Sequence, residues 1–174
     1  ARAIDGIRSG SAGSLAGLGS ISAVPRALRE DGVQLAFAAT SESTGTLKVA
    51  SNAVISVDAG GTIELTANRS LELAGRLNAP GGHIALRMDE VQQDDIYVGS
   101  SLFLASTAHL NTSGVFLQTP GLSYVDGTLF DGGTIDIAAR RGYLVIREGA
   151  QLRADGASAV LAQRTGALGA LSAV

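Results

Sequence analysis

Asp89, Glu90, Asp94 and Asp95 crowd into the stretch "RMDEVQQDDIYVG" at residues 87–99, the densest set of potential ligand oxygens in the chain. Calcium takes about six to eight oxygens, many of them from carboxylates, so these four side chains are of the right type. The glycine–aspartate nonapeptide repeat of calcium-binding β-solenoids is absent, and no metal is expected on repeat grounds. The stretch reads as a charged, solvated loop. Its functional alternative is contact with a partner or a glycan, because insertions between regular elements are where binding residues collect.

A second set is Asp126, Asp131 and Asp136, followed by Arg140 and Arg141. Glycoside hydrolysis requires two carboxyl groups about 5–9.5 Å apart across the scissile bond. Asp126 and Asp131 fall in turn-like sequence, which leaves their separation open. Rings for sugar stacking are sparse: Tyr97, Phe103, Phe116, Tyr124, Phe130 and Tyr143 are the main supply in a chain that is 4% aromatic. His83 and His109 each lack a second histidine nearby, so neither suggests a zinc site. No GxSxG elbow accompanies the many Ser and Thr residues. Glycine pairs at Gly60–Gly61, Gly81–Gly82 and Gly132–Gly133 could suggest an anion-binding loop. Such loops need a GK[ST] or GxGxxG pattern and a following helix, whereas "GGTIEL", "GGHIAL" and "GGTIDI" each run into apolar alternation. The expectation is a protein with no catalysis and no cofactor.

What must position these residues is a repeat. Within each unit apolar residues recur at every second position, as in Ile63/Leu65, Leu71/Leu73, Ile84/Leu86 and Ile135/Ile137, bounded by Gly, Asn, Asp or Pro. That pattern marks short strands, with helical spacing only at residues 24–30 and in the last fifteen. Unit starts fall near Gly32, Gly60, Gly81, Gly114, Gly132 and Gly156, spaced by 28, 21, 33, 18 and 24 residues. The segment "LELAGRLNAPGGHIAL" (71–86) lies over "LSYVDGTLFDGGTIDI" (122–137), and "SLFLASTAHLNTSGVFL" (101–117) matches "SLELAGRLNAPGGHIAL" after a two-residue insertion. Short amphipathic strands bury their inward rows only by stacking turn on turn at ~4.8 Å. The fold expected is all-β, a right-handed parallel β-helix (β-solenoid) of about six turns. Ile63, Leu65, Leu73, Ile84, Leu86, Ile135 and Ile137 form its inward ladder. Gly60, Gly61, Gly81, Gly82, Gly132 and Gly133 form its corners.

Composition agrees. The 174 residues include 23 glycines, seven Phe plus Tyr, and neither Trp nor Cys, so the core is built from small and branched aliphatics. A net charge of −3 with scattered basic residues argues against nucleic-acid binding. Apolar runs fall far short of the ~20 residues of a membrane span, so the chain is not expected to be membrane-embedded. The expected organisation is one β-helical domain over 1–174, cut from a longer protein, with irregular or capping ends at 1–30 and 160–174.

"GGTIELTANRSLELAGRLNAPGGHIAL" and "DGGTIDIAARRGYLVIREGAQLRADG" resemble the repeats of filamentous haemagglutinin-like exoproteins, the passengers of bacterial two-partner secretion. The resemblance covers roughly residues 46–160. It implies a β-helical shaft exported through an outer-membrane transporter barrel and displayed at the bacterial surface. There it would serve adhesion, aggregation or contact-dependent toxin display, meeting a host-cell or bacterial surface receptor or glycan. The family's NPNG secretion-domain turn is missing, and the segment is expected to come from the shaft or from downstream of it. A carbohydrate-binding or carbohydrate-active β-helix, lyase or hydrolase, is the alternative.

Overall fold

The computed structural model describes residues 32–40, 45–88, 100–119, 125–140 and 142–160, together with the backbone of 162–165 and 170–173. The described elements are all strands. They are β1 (Gln34–Ala39), β2 (Thr46–Val49), β3 (Val54–Ser56), β4 (Thr62–Ala67), β5 (Ser70–Leu73), β6 (Arg76–Asn78), β7 (His83–Met88) and β8 (Ser101–Leu104). Then come β9 (His109–Asn111), β10 (Val115–Gln118), β11 (Gly127–Phe130), β12 (Thr134–Ala139), β13 (Tyr143–Ile146), β14 (Gln151–Arg153), β15 (Ala162–Thr165) and β16 (Ala170–Ala173).

Twelve of these make a parallel β-helix. Sheet one stacks β1-β4-β7-β12, sheet two β2-β5-β8-β13, and sheet three β3-β6-β9-β14. Each turn contributes one strand to each sheet, and every pairing within them is parallel. Alternation puts like on like. Leu35, Ile63, Ile84 and Ile135 form one inward row, and Phe37, Leu65, Leu86 and Ile137 the next. Sheet two adds Leu47/Leu71/Leu102/Leu144 and Val49/Leu73/Leu104/Ile146. Sheet three adds Ile55/Leu77/Leu110/Leu152.

Burial follows position along the stack. Ile63, Leu65, Leu71, Leu73, Ile84, Leu86, Leu102 and Leu104 in the middle turns have no accessible surface. Each fully buried side chain of this size stabilises the stack by about 1.5–3 kcal/mol. Ile135 and Ile137, in the last turn, are only partly buried and pack on the core from one side. An outward asparagine column reinforces the third sheet: Asn111 Nδ2 donates to Asn78 Oδ1 at 2.8 Å, and Asn78 Nδ2 donates to Ser56 Oγ at 3.2 Å.

The glycine pairs sit where the third sheet hands over to the first. Gly60 and Gly81 adopt φ of 73° and 58°, the left-handed region. Gly61, Gly82 and Gly133 stack so closely that a Cβ on Gly82 would overlap the Gly61 carbonyl oxygen, and one on Gly133 would overlap that of Gly82.

Three expectations change. The described residues hold four turns, not six, because the units beginning at Gly114 and Gly156 are not coils of the helix. The first contains the antiparallel hairpin β10–β11, and the second is followed by the antiparallel pair β15–β16. The match of Leu71 to Leu122 is not the stacking register: Leu71 pairs onward with Leu102, and Leu102 with Leu144. The match of "SLFLASTAHLN" to "SLELAGRLN" is the real stacking register, including its two-residue insertion at the corner. Backbone at 162–165 and 170–173 is extended, in place of the helical spacing read in the last fifteen residues. Residues 24–30 lie outside the described residues.

Candidate functional site

The strands of the first sheet are extended on either side by the two longest departures from the repeat. The acidic stretch follows β7, and Asp89, Glu90, Asp94 and Asp95 all lie outside the described residues. The hairpin lies ahead of β12 and is fully placed at its base. In the second and third turns the corner closes as a tight turn, with the Gly61 N–H on the Asp58 carbonyl and the Gly82 N–H on the Ala79 carbonyl, both at 2.9 Å. In the fourth turn the Gly133 N–H makes the equivalent bond to the Thr112 carbonyl, at 2.8 Å. Residues 113–132 thus replace Pro80 and Gly81 of the preceding corner. The chain leaves and re-enters at one hydrogen bond, and the ladders above and below keep their register.

The hairpin's own pairing is Val115–Phe130, Phe116–Leu129, Leu117–Thr128 and Gln118–Gly127. Phe130 lies against the corner at Gly81, where a Cβ would stand 2.5 Å from that of Phe130. The ring of Phe116 covers Gly127, while Val125 and Leu129 are exposed. Asp126 caps the returning strand, its Oδ1 accepting the Gly127 N–H at 2.8 Å.

Of the carboxylates weighed as a catalytic set, Asp126 and Asp136 have separate structural partners. Asp126 serves the hairpin turn. Asp136 faces outward on sheet one and meets Arg87 Nη2 at 3.7 Å, while Arg87 Nη1 lies 3.5 Å from Glu64. This chain of ions crosses three turns, with all three side chains 39–53% exposed, so water screens it and its contribution is at most about 1 kcal/mol. Asp131 stands at the hairpin's exit beside Gly81. Arg140 directly follows β12, the fourth strand of the first sheet, and Arg141 is outside the described residues. His83 occupies the outward row between Thr62 and Thr134, its Nδ1 3.0 Å from Thr134 Oγ1. His109 belongs to a different sheet, between Arg76 and Gln151. Among the described residues no group of three or more His, Asp or Glu side chains could hold a metal.

One shallow groove, of about 410 Å³, opens on the side between the third and fourth turns. Phe103, Ala105, Ser106, Arg147 and Glu148 line it. The Arg147 guanidinium sits 5.7 Å above the Phe103 ring, a cation–π contact that already occupies the ring face.

The hairpin is the element that sequence reading missed. Two signals pointed to it. Gly114 to Gly132 spans 18 residues, less than the 21 that separate Thr62 from its stacking partner His83, so a complete coil does not fit. The Pro120-Gly121 pair at its centre is also a strong turn signal.

Fold and surface together define a parallel β-helical repeat protein whose corners carry insertions. Comparison with known family models, curated proteins and solved structures gave no match.

Proposed function

We propose that this chain is a shaft segment of a secreted bacterial surface adhesin of the filamentous haemagglutinin-like kind. In this reading it is exported by two-partner secretion through an outer-membrane transporter barrel and presents its insertions to a host-cell or bacterial surface receptor or glycan. One observation carries the proposal: residues 113–132 leave and rejoin the corner at a single hydrogen bond, so contact surface is added without disturbing the rod. A scaffold of stacked aliphatic rows is stiff and accepts an insertion that leaves and rejoins at a corner. The repeat resemblance over roughly residues 46–160 supplies the secretion context. The site chemistry adds support, because the carboxylates at 126 and 136 are tied to structural partners.

Two variants test this. In one, residues 113–132 are replaced by Pro-Gly, restoring the corner of the preceding turn; in the other, Asp89, Glu90, Asp94 and Asp95 all become Asn. The Pro-Gly variant should keep the far-ultraviolet circular dichroism of the rod and unfold within a few degrees of the parent, because the corner hydrogen bond is preserved. The intact chain should bind a glycan array or cultured epithelial and bacterial cells, and one of the two variants should lose that binding. Equal background retention by all three chains would refute an adhesive role. Reducing-sugar release from acidic polysaccharides would instead favour the carbohydrate-active alternative.

A further inference from the structure

The corners between the second and third sheets are of two lengths. Ala74 and Gly75 alone join β5 to β6, whereas residues 105–108 join β8 to β9 and residues 147–150 join β13 to β14. Each longer corner is closed by its own backbone bond, the Ala108 N–H on the Ala105 carbonyl at 3.0 Å and the Ala150 N–H on the Arg147 carbonyl at 3.1 Å. Thr107 Oγ1 donates to the Ala74 carbonyl at 2.7 Å and ties the first of them down. The groove of about 410 Å³ lies between these two fixed corners, and all of its lining belongs to the described residues.

Its polar groups are held in place but not used. The contact with the Phe103 ring positions the Arg147 guanidinium and supplies no oxygen to its N–H donors. Among the described residues no hydrogen bond or ion pair takes those donors, and none takes the Glu148 carboxylate beside them. Ser106 brings a hydroxyl from the lower corner. Leading to the groove is an apolar strip on the outward side of β13. Tyr143 and Val145 alternate there with the inward Leu144 and Ile146; they are 71% and 37% exposed, and Val145 lies in register over Phe103. From Tyr143 to Arg147 the chain spans about 13 Å, room for a short oligosaccharide.

We infer that this strip and groove form a subsite for an acidic saccharide whose carboxylates are spaced by neutral sugars. The carboxylate accepts from the Arg147 guanidinium, a charge-assisted contact suited to its fork of donors. Sugar hydroxyls beside it donate to Glu148 and share hydrogen bonds with Ser106. The C–H face of the next sugar lies on Val145 and the Tyr143 ring, whose hydroxyl stays in water. The charges choose the class. A polysulfated chain or a polyacidic peptide would set a second anion against Glu148, and Lys48, the other cation on the outward side of this sheet, is already taken by Glu72 at 2.8 Å. A shallow groove with one charged contact supports weak affinity, on the order of millimolar, so the subsite adds to whatever the insertions hold and does not register alone on an array. The inference rests on the adhesive reading and adds a contact on the rod itself, apart from both insertions.

Nuclear magnetic resonance titration of the full chain tests it, with a hyaluronan tetrasaccharide as probe and neutral chitotetraose, a heparin tetrasaccharide and a glutamate-rich peptide as comparisons. Hyaluronan should shift the amides of residues 103–106 and 143–148, less so as salt is raised, and chitotetraose should shift them far less at equal concentration. Arg147→Gln should lose about tenfold in affinity, the worth of one charge-assisted hydrogen bond. Tyr143→Ala should weaken binding to a smaller extent. Both side chains are exposed, so the remaining amide spectrum should be unchanged, which shows that the fold persists. Absence of shifts at these residues overturns the inference, as does full binding by Arg147→Gln. Tighter binding of heparin or of the peptide also overturns it, by making the groove a general anion or peptide site. Loss of cell binding by an insertion variant, with no hyaluronan shifts in the parent, would refute this subsite and leave the adhesive reading standing. Hyaluronan shifts in a chain whose insertion variants all bind cells at background would do the reverse.

Discussion

Leu86→Asp is expected to abolish cooperative folding of the β-helix at neutral pH. Leu86 lies in the third turn with no accessible surface, between Leu65 below and Ile137 above in one inward row. The change removes about 2–3 kcal/mol of apolar burial. It also places a carboxylate where the inward neighbours in its row, Leu65 and Ile137, are aliphatic, and an unpaired buried charge costs several kcal/mol more even after relaxation. A domain of this size has roughly 5–15 kcal/mol in total, so the sum consumes most or all of it. Thermal unfolding followed by circular dichroism should show no transition, or one lowered by tens of degrees. Ile137→Asp, one layer further along the same row, provides the internal comparison. That side chain is covered from one side only, so the last turn should fray while the middle turns still melt cooperatively. An unaltered transition in Leu86→Asp would mean that the inward assignment of this row is wrong.

The second large effect needs only one methyl group. Gly82→Ala should destabilise the fold by about 3–5 kcal/mol, at the upper end for a single substitution. The backbone of Gly82 is not in the left-handed region, so its conformation alone would admit alanine. Space is what forbids it. The added Cβ overlaps the Gly61 carbonyl oxygen and stands 2.9 Å from the Gly61 nitrogen, and neither atom can rotate away as a side chain would. Relief requires separating two layers at the corner, which strains the His83 N–H bond to Gly61 and the Thr134 N–H bond to Gly82, both 2.9 Å. Gly156, where an added Cβ would meet nothing within 4 Å, is the matched control. Gly156→Ala should change stability by no more than about 0.5 kcal/mol. Urea midpoints with unchanged m-values would separate the two cleanly.

The period-two alternation of Ile63/Leu65 and Ile84/Leu86 was enough to read the strands, their inward faces and the parallel stack. That legibility has a physical cause: a ladder repeats its own side chains, so the same signal is written several times. The glycine pairs were equally plain because a crowded corner excludes every other residue. The hairpin was misread since its strands use the same vocabulary. Leu129 followed by Gly132–Gly133 imitates Leu77 followed by Gly81–Gly82, and only the strand direction, which alternation does not encode, tells an antiparallel excursion from a coil. Outward groups were the least legible. Arg87, Glu64 and Asp136 are far apart in sequence and meet only through the register of three turns, so their pairing could not be read from local spacing.

The uneven length of the coils shapes how the chain assembles in time. Stacking partners are 28 residues apart from the first turn to the second and 21 from the second to the third, but 51 from His83 to Thr134. Closing the longer loop costs roughly 0.8 kcal/mol more in chain entropy than closing the 21-residue one. The hairpin offsets this. Its strands are near neighbours in sequence and can pair within about 1–10 μs, before any long-range contact. Once paired, they bring Thr112 and Gly133 together and remove the excursion from the loop that remains to be closed. A segment that lengthens the chain between the third and fourth turns therefore also shortens the search by which the fourth turn finds its place.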